Sequence, residues 1–167
     1  MQALILAAGK GSRLGSLTEN KPKCMIDVAG KSIIDRTVES LVSNNINHII
    51  IVIGYLGNIL SDYLTNKYPA VDFVFIDESK LISEQHNNIY SFLVAKDELV
   101  KDDTLVIESD ILFKSELITD LVDNVIPNQA VISYFEDYMN GSCVALDENN
   151  HITSIASYEK HGALGDI

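Results

Sequence analysis

A chain of 167 residues, 47% hydrophobic and 22% charged, has an ordinary globular balance and can bury roughly 68–70% of its unfolded surface without a disulfide or metal staple. Asp and Glu number 24 against 12 Lys and Arg, a formal net charge of −12. That balance argues against a nucleic-acid binder, which needs a basic face to displace counterions, and against docking on anionic lipid.

The elements follow in chain order. Ala3 to Ala8 form a short apolar run with no cationic lead-in, a buried strand rather than a signal peptide. Further continuous apolar runs lie at Ile49 to Ile53, Phe73 to Ile76 and Leu105 to Ile107. Such runs lack period-two alternation and suit strands covered on both faces. Between them Ile34, Val38, Leu41 and Val42, then Leu56, Ile59, Leu60, Tyr63 and Leu64, then Leu117, Ile118, Leu121, Val122 and Val125 recur at helical spacing. Ile89 to Glu98 reads as one more helix, opened by Asn87 and Asn88. Alternating buried strands and helices predict an α/β fold, a mostly parallel sheet flanked by helices. Near the C-terminus Ala130 to Tyr134, Cys143 to Leu146 and Ile152 to Ile155 read as short antiparallel additions, with turns at Asn140-Gly141 and Glu148-Asn149-Asn150. The tail from Tyr158 to Ile167 has no closing helix and reads as an interruption.

No stretch reaches the roughly 20 apolar residues of a membrane span. Cys24 and Cys143 are too few for a disulfide scaffold and have no zinc spacing, so both are expected as reduced thiols in a cytoplasmic protein. The histidines His48, His86, His151 and His161 show no metal spacing either.

The first strand runs into Ala8-Gly9-Lys10-Gly11-Ser12-Arg13-Leu14-Gly15. A glycine loop at a strand's carboxyl end brings backbone N–H groups close to phosphate. A Walker A loop needs Lys-Ser/Thr directly after its last glycine, and Gly15 is followed by Ser16-Leu17. A dinucleotide fingerprint needs glycine where Leu14 stands and an acid at the end of the next strand, which reads Ile53-Gly54-Tyr55. Pro22 keeps a helix from starting soon after the glycines. The loop therefore extends from Ala8 to about Cys24 and carries Lys10, Arg13, Lys21 and Lys23, a third of the chain's 12 cations. Phosphate binding offsets the cost of gathering positive charge there.

The complete string Leu6-Ala7-Ala8-Gly9-Lys10-Gly11-Ser12-Arg13-Leu14, followed by Lys21-Pro22-Lys23, resembles the signature of the nucleotidyltransferase family that makes nucleoside-diphosphate sugars and alcohols. The resemblance continues through Val52 to Tyr55, Asn87 to Phe92 and Glu108 to Phe113. The Asn87-Asn88-Ile89-Tyr90-Ser91 block is similar to the cytidylyltransferase branch acting on phosphocholine, and the 137–147 stretch to enzymes activating 2-aminoethylphosphonate. The resemblance implies a Rossmann-like fold, a single domain over residues 1–167, and a family continuation beyond Ile167 that supplies acceptor contacts and a second metal-binding aspartate. It implies CTP and a small phosphorylated or phosphonate acceptor as ligands, Mg²⁺ as cofactor, and no nucleic acid or membrane partner.

By the same resemblance Leu6, Ala7, Ala8, Gly9, Gly11 and Ser12 bind nucleotide, and Arg13 and Lys23 are the two phosphate cations. Arg13 fits a planar donor fork on the β- and γ-phosphates, and Lys23 a point charge at the α-phosphate, where charge builds in the transition state. Lys10 and Lys21 read equally well as solvated charge. Asp110 follows the Leu105 to Ile107 run, where an aspartate holds Mg²⁺ against a triphosphate or caps a turn. The resemblance favours the metal, and Glu108 reads as structural. Asn87 or Asn88 caps the helix while the other reads the cytosine edge, a job for which a carboxamide offers both donor and acceptor. Ser91, Gln85 and His86 line the pocket, and Gly54 lets backbone approach base or ribose. Tyr55 either stacks on the base or is a buried strand-end tyrosine. Tyr134, Phe135 and Tyr138 form either an aromatic wall for a quaternary ammonium or ordinary core. The alternatives to CMP transfer are a sugar-1-phosphate nucleotidyltransferase using UTP, dTTP or GTP, and a nucleotide-binding domain without catalysis. Oligomeric state is left open.

Overall fold

Strand β1 (Gln2–Ala7) is buried along its whole length, and its alternating residues feed two cores. Ala3, Ile5 and Ala7 face one cluster with Ile34, Val38, Leu41, Leu60, Leu64 and Ile118. Leu4 and Leu6 face another with Ile50, Val52 and Ala95. The molecule, a computed structural model, is described here over residues 1–78, 88–124, 126–134, 136 and 141–158. It divides into two compact units, Met1–Val125 and Ile126–Ile167.

In the first unit β1 pairs in parallel with β4 (His48–Ile53) on one edge and with β6 (Thr104–Glu108) on the other. Strand β5 (Asp72–Asp77) extends the sheet beyond β4, giving the order β5-β4-β1-β6. Residues of α1 (Ile33–Ser43), α2 (Gly57–Lys67) and α5 (Glu116–Asp123) supply the first core. Residues of α3 (Asn88–Val94) and α4 (Lys96–Leu99) supply the second. The predicted α/β class, a parallel sheet flanked by helices, is what the chain adopts. The continuous apolar runs have the expected cause: both faces of the strands are covered. Successive strands step from β1 to β4 to β5, and the chain then returns past β1 to form β6. The strand order therefore reverses at β1, and ligands in open α/β sheets bind outside the carboxyl ends of the strands at such a point.

A small hairpin of β2 (Asp27–Val28) and β3 (Lys31–Ser32) precedes α1. Ser32 caps α1, its hydroxyl accepting the Asp35 N–H at 3.1 Å. The Asp35 side chain, 4% exposed, ties α1 to α2 and its C-terminus. Its Oδ2 accepts from the Tyr63 hydroxyl at 2.7 Å and the Lys67 ammonium at 2.8 Å, and Oδ1 accepts from the Tyr68 hydroxyl at 2.9 Å.

The second unit holds an antiparallel pair, β7 (Gly141–Leu146) and β8 (Ile152–Tyr158). In the turn expected at 148–150, Asp147 Oδ1 accepts the N–H groups of Asn149 and His151 at 2.9 and 2.8 Å. Three expectations need correction. Residues 130–134 form no strand and are exposed; an apolar run without a ladder partner has no means of satisfying its backbone as a strand. The helix expected over 89–98 breaks at Ala95, at φ −89° and ψ 0°, into α3 and α4, and the Ala95 side chain is fully buried. Leu56 lies outside α2, in a left-handed conformation before its first residue. Asn140 and Phe135 lie outside the described residues, and Tyr134 is 94% exposed rather than core.

Burial by itself pushes the Asp35 carboxyl up, but the donations from Lys67, Tyr63 and Tyr68 outweigh it and hold the group below the usual aspartate range. A carboxyl whose folded value is depressed stabilises fully above its unfolded value and loses that contribution as pH falls through the folded one. The melting temperature is expected to decline as pH drops below about 4, and Asp35→Asn should flatten that part of the profile. At pH 7 the variant should be less stable by about 1–3 kcal/mol, toward the lower end because Lys67 is 42% exposed and water screens it. Melting curves between pH 2.5 and 7 check both.

Candidate functional site at the end of β1

After Ala7 the chain turns through two short 3-10 segments, Ser12–Thr18 and Lys23–Met25, before reaching β2. No α-helix opens here, as Pro22 leads one to expect. Gly11 sits at φ +66°, and a Cβ there would lie 3.2 Å from Cβ of Lys23. Both the backbone turn and the close passage of Lys23 therefore require glycine at 11. Thr18, almost fully buried, donates its hydroxyl to the carbonyls of Gly11 and Gly15, each at 3.2 Å. Thr18 lies within the signature but carried no role in the sequence reading. A hydroxyl residue that can bond nearby backbone inside a glycine loop is the signal that marks it.

Lys23 reaches the end of β6. Its ammonium donates to Asp110 Oδ2 at 2.6 Å, with the two side chains 26% and 42% exposed. The backbone beneath them is tied in turn: the Ser109 N–H donates to the Leu6 carbonyl at 3.2 Å. Gly11, Lys23 and Asp110 are thus gathered at the carboxyl ends of β1 and β6. Glu108, paired in register with Leu6, has its carboxyl pushed up by burial and by the Asp110 charge, against a smaller opposing pull from Lys23. Cys24, buried beside Lys23, has its thiol pushed up to about 12 by burial, which leaves it protonated and inert as a nucleophile.

Leu6 and Ala7 are buried in β1, while Gly9, Ser12 and Arg13 are exposed along the loop. Arg13 forms no ion pair with any described residue. Gly54 backs directly onto the loop. A Cβ there would fall 2.8 Å from the Ala8 carbonyl oxygen, so the position has no room for a side chain against the loop backbone. Tyr55 faces the same loop: its hydroxyl donates to the Glu19 carbonyl at 3.0 Å, and the Lys10 ammonium lies 5.4 Å over its ring. Ser91, buried in the middle of α3, donates to Glu78 Oε2 at 2.5 Å. Asn87, Gln85 and His86 lie outside the described residues, as does the side chain of Asn88.

Among the described residues no group of three or more His, Cys, Asp or Glu gathers to hold a metal. One or two carboxylates at a strand end are nevertheless the donor set that magnesium accepts when phosphate oxygens and water complete its shell. Asp110, with Glu108 close enough to feel its charge, fits that requirement.

The glycine loop and its cations leave a parallel sheet where its strand order reverses, the arrangement of a doubly wound α/β protein. The family model described as nucleotidyl transferase matches residues 2–142, and the chain belongs to that family. CTP:phosphoglutamine cytidylyltransferase of Campylobacter jejuni is 39% identical over 128 residues, which cover 74% of this chain and 49% of that protein. Choline-phosphate cytidylyltransferase of Streptococcus pneumoniae is 35% identical over 167 residues, covering 95% of this chain and 69% of that protein. A solved structure of the CTP:phosphocholine cytidylyltransferase from Streptococcus pneumoniae superposes with a TM-score of 0.69 at 35% identity, over 93% of this chain and 64% of the other. The chain thus spans about half the length of the first of these relatives and about two thirds of the second. No helix among the described residues is long and apolar enough to cross a membrane.

The contact between Gly54 and Ala8 sets a direct test. Gly54→Ala places a methyl against a backbone carbonyl that cannot swing aside, so the variant should lose about 1–3 kcal/mol. Urea unfolding with an unchanged m-value checks the magnitude.

Proposed function

We propose that the protein transfers CMP from CTP to a small phosphorylated or phosphonate acceptor. An acceptor oxygen attacks the α-phosphorus; the new P–O bond forms as the bond to the bridging oxygen breaks, and pyrophosphate leaves with that electron pair. Such a transfer needs alignment and charge neutralisation rather than a covalent nucleophile. The observation that carries the reading is the meeting of Lys23 and Asp110, 2.6 Å apart beside Gly11 at the strand-order switch. Lys23 supplies positive charge where the α-phosphate gains negative charge. Arg13, exposed on the loop, offers a planar fork to the β- and γ-phosphates. Asp110 would hold magnesium, which when bound neutralises phosphate oxygens and orients the leaving group. The resemblance of the 87–91 block to cytidylyltransferases, and the two relatives named as such, support cytosine as the base and a phosphorylated small molecule as acceptor. The reading implies a cytoplasmic protein, since CTP is drawn from the nucleoside triphosphate pool there.

The deciding experiment compares nucleotides by thermal shift and calorimetry. CTP at a hundred times its dissociation constant adds about 2.7 kcal/mol, a rise of about 5–10 °C for a chain of this size. UTP, ATP and GTP should give smaller shifts, and equal shifts from all four would overturn the cytidine assignment. Asp110→Asn should retain the fold and lose the Mg²⁺-dependent strengthening of CTP binding; an unchanged magnesium dependence would place the metal elsewhere.

In turnover assays, Lys23→Ala should slow pyrophosphate release by about a hundredfold while weakening CTP binding much less, because its charge acts most strongly in the transition state. Equal losses in affinity and in kcat/KM would make Lys23 a plain binding residue.

A further inference from the structure

We infer that Tyr55 is a positioning residue that clasps the loop after β1 and so sets the spacing of the groups that meet a nucleotide's phosphates; the inference rests on the nucleotide reading above. One residue touches the loop at Ala8 and Lys10, near its start, and again at Glu19, in its second half. The Tyr55 backbone N–H donates to the Ala8 carbonyl at 3.1 Å, carrying the β1–β4 ladder past its last pair, Ala7 with Ile53. Its ring lies under the Lys10 ammonium at 5.4 Å. Its hydroxyl donates to the Glu19 carbonyl at 3.0 Å.

The turn that carries Tyr55 is built to aim it. Gly54 has no room for a Cβ against Ala8, and a Cβ on Gly57 would fall 2.8 Å from Cβ of Ile53. Between them Leu56 is held at φ 53° and ψ 30°, a left-handed conformation that bulky residues seldom take. Strain of this kind persists where the surroundings over-determine the backbone, and it clusters at functional sites. The loop itself has no strand or α-helix between Ala7 and Asp27. Within it the Thr18 hydroxyl ties to the Gly11 and Gly15 carbonyls, and short backbone bonds such as Leu14 N–H to the Gly11 carbonyl hold single turns. Closing the segment from outside orders Gly11 to Glu19 before any ligand arrives, and preorganisation of that kind raises affinity by reducing the ordering left to binding. The effect belongs to the phosphate end of the ligand, because Gly11 and Arg13 lie inside the clasped segment.

Tyr55→Phe tests this by removing only the donation to Glu19; the ring beneath Lys10 and the backbone bond to Ala8 stay. Hydrogen exchange of the ligand-free protein and calorimetric titration with CTP and with CMP provide the readouts. Loss of one such hydrogen bond should speed exchange across residues 11–19 by about three- to tenfold and weaken CTP by a similar factor. Exchange in β1 and β4 and affinity for CMP, which lacks the β- and γ-phosphates, should hold close to wild type. Unchanged exchange across 11–19 would overturn the clasp, and so would a uniform acceleration through the strands, which marks plain destabilisation. Tyr55→Leu separates the remaining reading. If the ring stacks on the base, the Phe variant binds both nucleotides normally and the Leu variant loses both alike, which also overturns the inference. Absence of CTP and CMP binding by the wild type would sink the proposed function, while the exchange comparison by itself still decides whether the clasp exists.

Discussion

Strand β1 has a paired neighbour on each edge and a packed core on each face, and the site is a consequence of that confinement. A strand so enclosed can release the chain only along its own axis. At its carboxyl end it is flanked by the ends of β4 and β6, so three segments distant in sequence converge there. The loop brings Gly11 and Lys23, the end of β4 brings Gly54 and Tyr55, and the end of β6 brings Glu108 and Asp110. The parallel register puts all three strand ends at one level, and the Lys23 side chain reaches from the loop to Asp110.

The pair formed by Lys23 and Asp110 adds little to stability. Both partners are partly exposed, and ion pairs of that kind contribute about 0–1 kcal/mol. Its importance is positional. In a chain of net charge −12 the cations of the glycine loop sit in an unfavourable-to-anions field, and the pair keeps one of them at the carboxylate beside which a phosphate and its metal would lie. The same acid that holds Lys23 in place is the one that fits magnesium.

Elsewhere the chain uses charge for architecture. Asp35 is almost fully buried and accepts from Lys67, Tyr63 and Tyr68. Removing one partner from such a cluster leaves buried groups unsatisfied, which costs more than the intact cluster contributes. This network holds α1 against α2 and thereby supports the sheet face on which Ile5, Ile49 and Ile51 pack.

The parallel sheet, most of its helices and the glycine loop after β1 were legible in the amino-acid order. Burial on both faces writes itself into a sequence as unbroken runs such as Ile49 to Ile53, and left-handed turns write themselves as glycine, as at Gly11. The break at Ala95 and the lack of a strand at 130–134 were not legible, since both depend on what lies alongside rather than on local preference. The nearness of Lys23 to Asp110 was readable only as two separate family positions; their 2.6 Å contact comes from the pairing of β1 with β6. Gly54 and Tyr55 show the limit most clearly. Their identities marked a close approach and an aromatic contact, but a sequence carries no record of which surface is approached. The fold adds their contacts with Ala8 and Glu19, because hydrogen-bond partners far apart along the chain are chosen by the fold and not by the residues that make the bond.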